Sequence, residues 1–167
     1  MNRYLYTKPS STRVLRRGFT ILELVVIITV LGIITGIVVI SSVGYRNRAS
    51  DSERVSDVEV ITRSLERYYR TRPVSSGATY PDASTTTAAF ETIVDESDAT
   101  KAPGQTTNSI TITNTAGNKT PTIAQYVYQP LNVDGTICTT APCARYKLFY
   151  HLDSTDVVVT KDSLRQQ

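Results

Sequence analysis

A run of twenty residues without a charge, 24–43, constrains this chain of 167 residues more than any other feature. At about 1.5 Å per helical residue it is long enough to cross a hydrocarbon core of roughly 30 Å. Gly18-Phe19-Thr20-Ile21-Leu22-Glu23 leads into it, preceded by five basic residues and no acid: Arg3, Lys8, Arg13, Arg16 and Arg17. A secretory signal peptide has an apolar core of roughly 7–15 residues and then a small-residue cleavage site. This run is longer, and Val39-Ile40-Ser41-Ser42 makes a poor site of that kind. An ordinary N-terminal anchor accounts for a basic flank and a long apolar run. It accounts for neither the Arg16-Arg17-Gly18-Phe19 junction nor Glu23, a lone carboxylate in the apolar segment. Ionisable side chains are costly to bury in such surroundings and mark function by default.

At residues 16–45 the sequence closely resembles the type IV pilin superfamily, through the glycine–phenylalanine junction, the early glutamate and the apolar run. The resemblance implies a short basic leader, 1–18, cut after Gly18 by a prepilin peptidase. It implies that Phe19 becomes the N-methylated mature N-terminus and that Glu23 is the glutamate near the start of the mature helix. A transmembrane helix over 19–44 would hold the precursor in the cytoplasmic membrane, N-terminus inside, and later form the core of a helical homo-oligomer. The implied partners are the peptidase, an assembly platform protein and an assembly ATPase. Many members of the family carry proline where this chain has Ile40, so any loosening on assembly rests on Gly32, Gly36 and the β-branched run 37–40. Gly32 and Gly36 have the small-xxx-small spacing that lets another helix approach closely. Glycine is also simply commoner in membrane helices, and the spacing alone leaves both readings open.

Farther along, Val55, Val58, Ile61, Leu65, Tyr68 and Tyr69 recur at helical spacing, with Thr62 at the edge of the stripe. Glu59–Arg63 and Glu66–Arg70 are i,i+4 pairs expected on the polar side. The Arg72-Pro73 step ends the helix, because the residue before proline avoids helical dihedrals. One helix is expected over 19–72, roughly 80 Å long, with 45–72 as its amphipathic continuation. Residues 73–104 are rich in loop signals, with a short helix over 88–94 and a solvated acidic knot over 95–98. Strands are expected near 109–114, 123–129, 145–152 and 156–160, with turns over 114–118 and 153–156. Four strands with one apolar face need a lid, and the helical stripe is the obvious candidate. The expected fold is α+β: a pilin-like lollipop in which the long helix packs on a small antiparallel sheet within a head, 73–167.

The net charge of +3 misleads, since without the five leader cations thirteen basic residues face fifteen acidic ones, near −2. No basic block remains to bind nucleic acid by phosphate neutralisation. No nucleophile–base constellation, Gly-rich phosphate loop or metal-spaced His/Cys cluster is visible, and His151 has no cysteine near it in sequence. The chain is not expected to be an enzyme or to need a cofactor. Some secretion pseudopilins bind calcium in a loop of the head, which makes Asp153 and Asp156 weak metal candidates by resemblance; a plain turn is the preferred reading. Cys138 and Cys143 enclose four residues. Export to an oxidising space favours a disulfide between them, with unpaired thiols the alternative in so short a loop.

The expected function is that of a structural subunit of a type IV pilus or pilus-like surface filament, serving adhesion, twitching motility or DNA uptake. A type II secretion pseudopilin or a minor pilin is the alternative within the class. From another class comes a membrane-anchored binding domain that never polymerises. Processing is testable. N-terminal mass spectrometry should find a mature chain beginning at methylated Phe19, and a bulky residue in place of Gly18 should leave the leader uncut. Normal filaments still carrying residues 1–18 would refute this.

Overall fold

The computed structural model describes residues 18–71, 78–113 and 120–165, without the side chains of 38–43. The chain divides into two units, Met1–Ser41 and Ser42–Gln167.

Helix α1, Ile21–Thr71, starts where Thr20 caps it. The Thr20 hydroxyl accepts the Glu23 N–H at 3.2 Å, and its carbonyl accepts the Leu24 N–H at 3.1 Å. Thr-x-x-Glu is the capping-box spacing, and a carboxylate in the first turn is favoured by the helix dipole. Thr29 and Thr35 donate their hydroxyls to the carbonyls of Val26 and Leu31, so neither donor needs a partner from outside the helix. Among the described residues no helix is long and apolar enough to cross a membrane. The expected membrane segment, 19–44, runs into residues 38–43, whose side chains lie outside those described.

In the second unit α1 becomes amphipathic, with Val58, Ile61 and Leu65 buried in the core. The buried stripe continues backwards through Arg54 and Asp51, 4% and 7% exposed, at the three- and four-residue steps of a helix. Val55, expected on the stripe, is 39% exposed, because it stands about 100° round the helix from Arg54. Glu66, expected on the polar side, is buried instead. Its carboxylate accepts the Tyr80 hydroxyl at 2.7 Å and the Leu164 N–H at 3.1 Å. Arg70 donates to the Glu66 carbonyl.

Helix α2, Thr87–Ile93, is capped by Thr86 and buries Phe90; a 3-10 turn, Ser97–Thr100, follows. Strands β1 (Ile110–Ile112), β2 (Tyr126–Leu131), β3 (Arg145–Leu152) and β4 (Val157–Asp162) form one sheet in the order β1-β2-β3-β4. The β2–β3 and β3–β4 pairs are antiparallel, whereas β1 runs parallel to β2, with Ile110 beside Tyr126. The sheet is therefore mixed, not wholly antiparallel as expected. Parallel neighbours need a crossover rather than a hairpin. The turn expected over 114–118 lies outside the described residues. Ile123 precedes β2 and joins no strand; its carbonyl accepts two bonds from the Arg54 guanidinium instead.

Tyr126, Tyr128, Tyr146, Leu148 and Tyr150 form the sheet's contribution to the core, Tyr126 opposite Tyr150 and Tyr128 opposite Leu148. Phe90, Tyr128, Tyr146, Tyr80 and Tyr69 make a continuous row of rings, with successive centroids 4.9, 5.6, 4.8 and 4.6 Å apart. Contacts of this kind contribute about 0.5–1.5 kcal/mol each beyond area burial. Cys138 and Cys143 form a disulfide. Its loop is tied to the chain ahead of α2: Tyr80 N–H donates to the Cys143 carbonyl, Ala83 N–H to the Cys138 carbonyl, and Cys143 N–H to the Thr79 hydroxyl.

The corrected stripe has a direct test. Leu65→Ala should cost about 2–5 kcal/mol in denaturation of the full chain, by transfer and cavity terms. Val55→Ala, on the exposed side, should stay within about 0.5 kcal/mol. Equal losses at the two positions would contradict this packing.

Candidate assembly surface

Every described side chain from 21 to 37 is exposed. The large apolar ones range from 41% exposed at Ile27 to 85% at Ile21, with Phe19 at 76% ahead of the helix. The apolar residues occupy all sides of α1 here, not a stripe, and a helix of that kind is one that is buried in something larger. Large exposed apolar patches mark interaction sites. A Cβ built on Gly18, Gly32 or Gly36 meets nothing within 4 Å, so among the described residues no contact demands glycine there and space is left for a neighbour. Glu23 is exposed in the first turn of α1, with its N–H used in the cap.

In the second unit, α1 holds the sheet through carboxylates. Asp51 accepts the N–H groups of Asp153 and Ser154 at 2.8 and 2.9 Å and pairs with Arg54 at 2.9 Å. Burial opposes ionisation, but donation from Ser154 and Asp153 and the Arg54 charge hold the Asp51 carboxyl below its usual range. Asp153 thus contributes its backbone to this contact. The Asp156 carboxylate stands 3.1 Å from His151 Nε2, its own backbone at φ 55°, a region that aspartate tolerates better than most residues. Among the described residues no group of three His, Cys, Asp or Glu side chains is placed to hold a metal ion.

Comparison with known proteins finds similarity over about a third of the chain. The chain is 34% identical over 53 residues to the type II secretion system core protein G of Escherichia coli (strain K12). It is 36% identical over 53 residues to that of Dickeya chrysanthemi, and 37% over 51 residues to that of Aeromonas hydrophila. Over that stretch the chain is similar to these type IV pilin-like secretion proteins. The matches cover 30–32% of this chain and 35–37% of those proteins, so it spans about a third of the length of the curated relatives it matches. No family model matches the chain, and no solved structure matches it.

Sequence reasoning missed Asp51, Arg54, Asp57 and Glu66 because it assigned charged residues to solvent. The available signal was the period itself, which carries the stripe through 54 and 51. Asp57 is half-buried and accepts the Tyr126 hydroxyl from β2 at 2.7 Å. Burial pushes its carboxyl up to about 6; the Tyr126 bond and Arg54 oppose the rise, while Glu53 and Glu96 add to it. A folded-state value above the unfolded 3.8 means stability that is complete below about pH 4 and lost as pH rises through about 6. Asp57→Asn keeps an acceptor for Tyr126 and removes that loss. Relative to the parent, urea denaturation should show the variant gaining about 1 kcal/mol between about pH 4 and 7.5, once solvent screening at a half-buried site is counted. A pH-independent difference between the two proteins would overturn this assignment.

Proposed function

We propose that this chain is a structural subunit of a pilus-like filament, assembled from the cytoplasmic membrane after cleavage between Gly18 and Phe19. The observation that supports this most is the apolar surface on all sides of residues 21–37, with one carboxylate, Glu23, in the first turn. Such a surface suits lipid or a bundle of like helices, and not water. Lipid tails are as apolar as a neighbouring helix, so moving from membrane to filament gains close packing rather than burial. Gly32 and Gly36 leave room for that packing.

Polar terms then direct assembly. Cleavage creates a positive amine on Phe19, about one helical turn from Glu23, and N-methylation leaves it positive. In a staggered bundle Glu23 of one copy reaches the amine of a neighbour, and this pairing sets the axial step. An unpaired carboxylate in apolar surroundings costs several kcal/mol, so register errors are penalised. The chain works as a building block and not as a catalyst. A prepilin peptidase, a platform protein and an assembly ATPase are its partners. The names of the matched relatives favour a filament of the type II secretion kind over a surface pilus for adhesion, motility or DNA uptake.

Glu23→Gln keeps size and removes charge. As sole subunit it should yield processed, membrane-resident protein with few or misregistered filaments by electron microscopy. Filaments of ordinary number and length would overturn the assembly role of Glu23. A parent protein that forms no filament at all, even when processed, would favour the anchored, non-polymerising domain.

A further inference from the structure

A groove of about 430 Å³ lies on the second unit between the C-terminal part of α1 and α2. Its walls include Tyr68 from α1, Ser84 and Thr86 from the segment leading into α2, and Ala89, Thr92 and Ile93 from α2. None of these residues carries a charge.

The hydroxyls are fixed in one sense. Ser84 donates to the Asp82 carboxylate at 2.6 Å, and Thr92 donates to the Ala89 carbonyl at 2.7 Å. Thr86 accepts the Ala89 N–H at 3.2 Å. With their protons committed, the Ser84 and Thr92 oxygens are left as acceptors. The wall that carries Ser84 is held in place: Asp82 also accepts the Ser84 and Ala141 N–H groups, and Ala141 belongs to the disulfide loop.

Uncharged acceptors beside a tyrosine and an isoleucine select a ligand by elimination. Among the described lining residues a phosphate or carboxylate would find no cation, and an amine would meet only the Asp82 carboxylate behind Ser84, already accepting from Ser84, Thr85 and Ala141. A wholly apolar partner would desolvate the hydroxyls without bonding them, which is costly. A pyranose ring answers all three conditions, with several hydroxyl donors, an apolar C–H face and no charge. The volume falls at the small end of the roughly 300–1,000 Å³ usual for ligand sites, enough for one or two sugar units. We propose that this groove binds a neutral saccharide. The inference stands apart from polymerisation, since the site is complete within one copy.

The test is saturation-transfer NMR on the full chain in zwitterionic micelles. The probes are methyl glycosides of glucose, galactose, mannose and N-acetylglucosamine and their disaccharides, with galacturonate and glucosamine as charged comparators. At least one neutral glycoside should receive saturation on its C–H face, with a Kd on the order of 1 mM, as befits an open site. Thr92→Val, which keeps shape and removes one acceptor, should weaken binding about fivefold, the worth of one hydrogen bond. Ala89→Arg, at an exposed position, should fill the groove and abolish the signal. No transfer to any neutral glycoside at these concentrations, equal transfer to the charged comparators, or an unchanged signal in Ala89→Arg would each overturn the proposal. Because monomers suffice, a negative result here leaves the filament reading intact, and a failure of Glu23→Gln to impair filaments leaves this one intact.

Discussion

A helix with apolar side chains on every side has no surface to show to water, and that constraint governs this protein. Every described side chain from 21 to 37 is exposed. The internal bonds of Thr29 and Thr35 leave their hydroxyls satisfied without outside help. A segment built this way is indifferent to which apolar neighbour it has, because lipid and a like helix offer similar surroundings. Selectivity must then come from features that break the uniformity. The described segment has two: gaps left by glycine, and a single acid at the capped end.

The second unit solves the opposite problem. Here the helix has a partner, and the question is what fixes its position on the sheet. Val58, Ile61 and Leu65 supply burial, but an apolar stripe on a bed of tyrosines and leucines resists sliding only weakly. Three carboxylates at separate heights supply discrete contacts: Asp51 with the turn after β3, Asp57 with Tyr126 on β2, and Glu66 with Tyr80 and Leu164. Buried charge adds little net stability against an apolar replacement, whereas removing one partner costs about 3–5 kcal/mol. Such groups favour one register over its neighbours.

The apolar run, the helix over most of its length, the short helix around Phe90 and the alternation of β3 were legible because each is a matter of period. Tyr146, Leu148 and Tyr150 alternate with Lys147 and Phe149, and the structure gives the first set to the core. Strand direction was not legible. Ile110 and Ile112 alternate with Thr111 whichever way the strand runs, and the parallel partnership with β2 depends on a crossover whose path no local pattern encodes. The period reaches Asp51, but the bonds that Asp51 and Glu66 make were not legible, since their donors lie far away in sequence. The groove beside α2 is hidden for the same reason, as Tyr68 and Thr92 come together only in the fold.

The distance of those donors bears on how the chain comes to be folded. Ser154 lies 103 residues from Asp51, and Leu164 lies 98 from Glu66. The β3 residues Tyr146, Leu148 and Tyr150, which share the core with the helical stripe, also lie far from it in sequence. Contacts of such separation form late, because the intervening loop must close before they return anything. Until β3 and Leu164 have docked, Val58, Ile61 and Leu65 lack part of their cover and Glu66 lacks the Leu164 donor. The second unit is therefore closed by contacts distant in sequence, and a chain stopped short of Leu164 would leave the acid on the helix's inner face with Tyr80 but without its backbone donor.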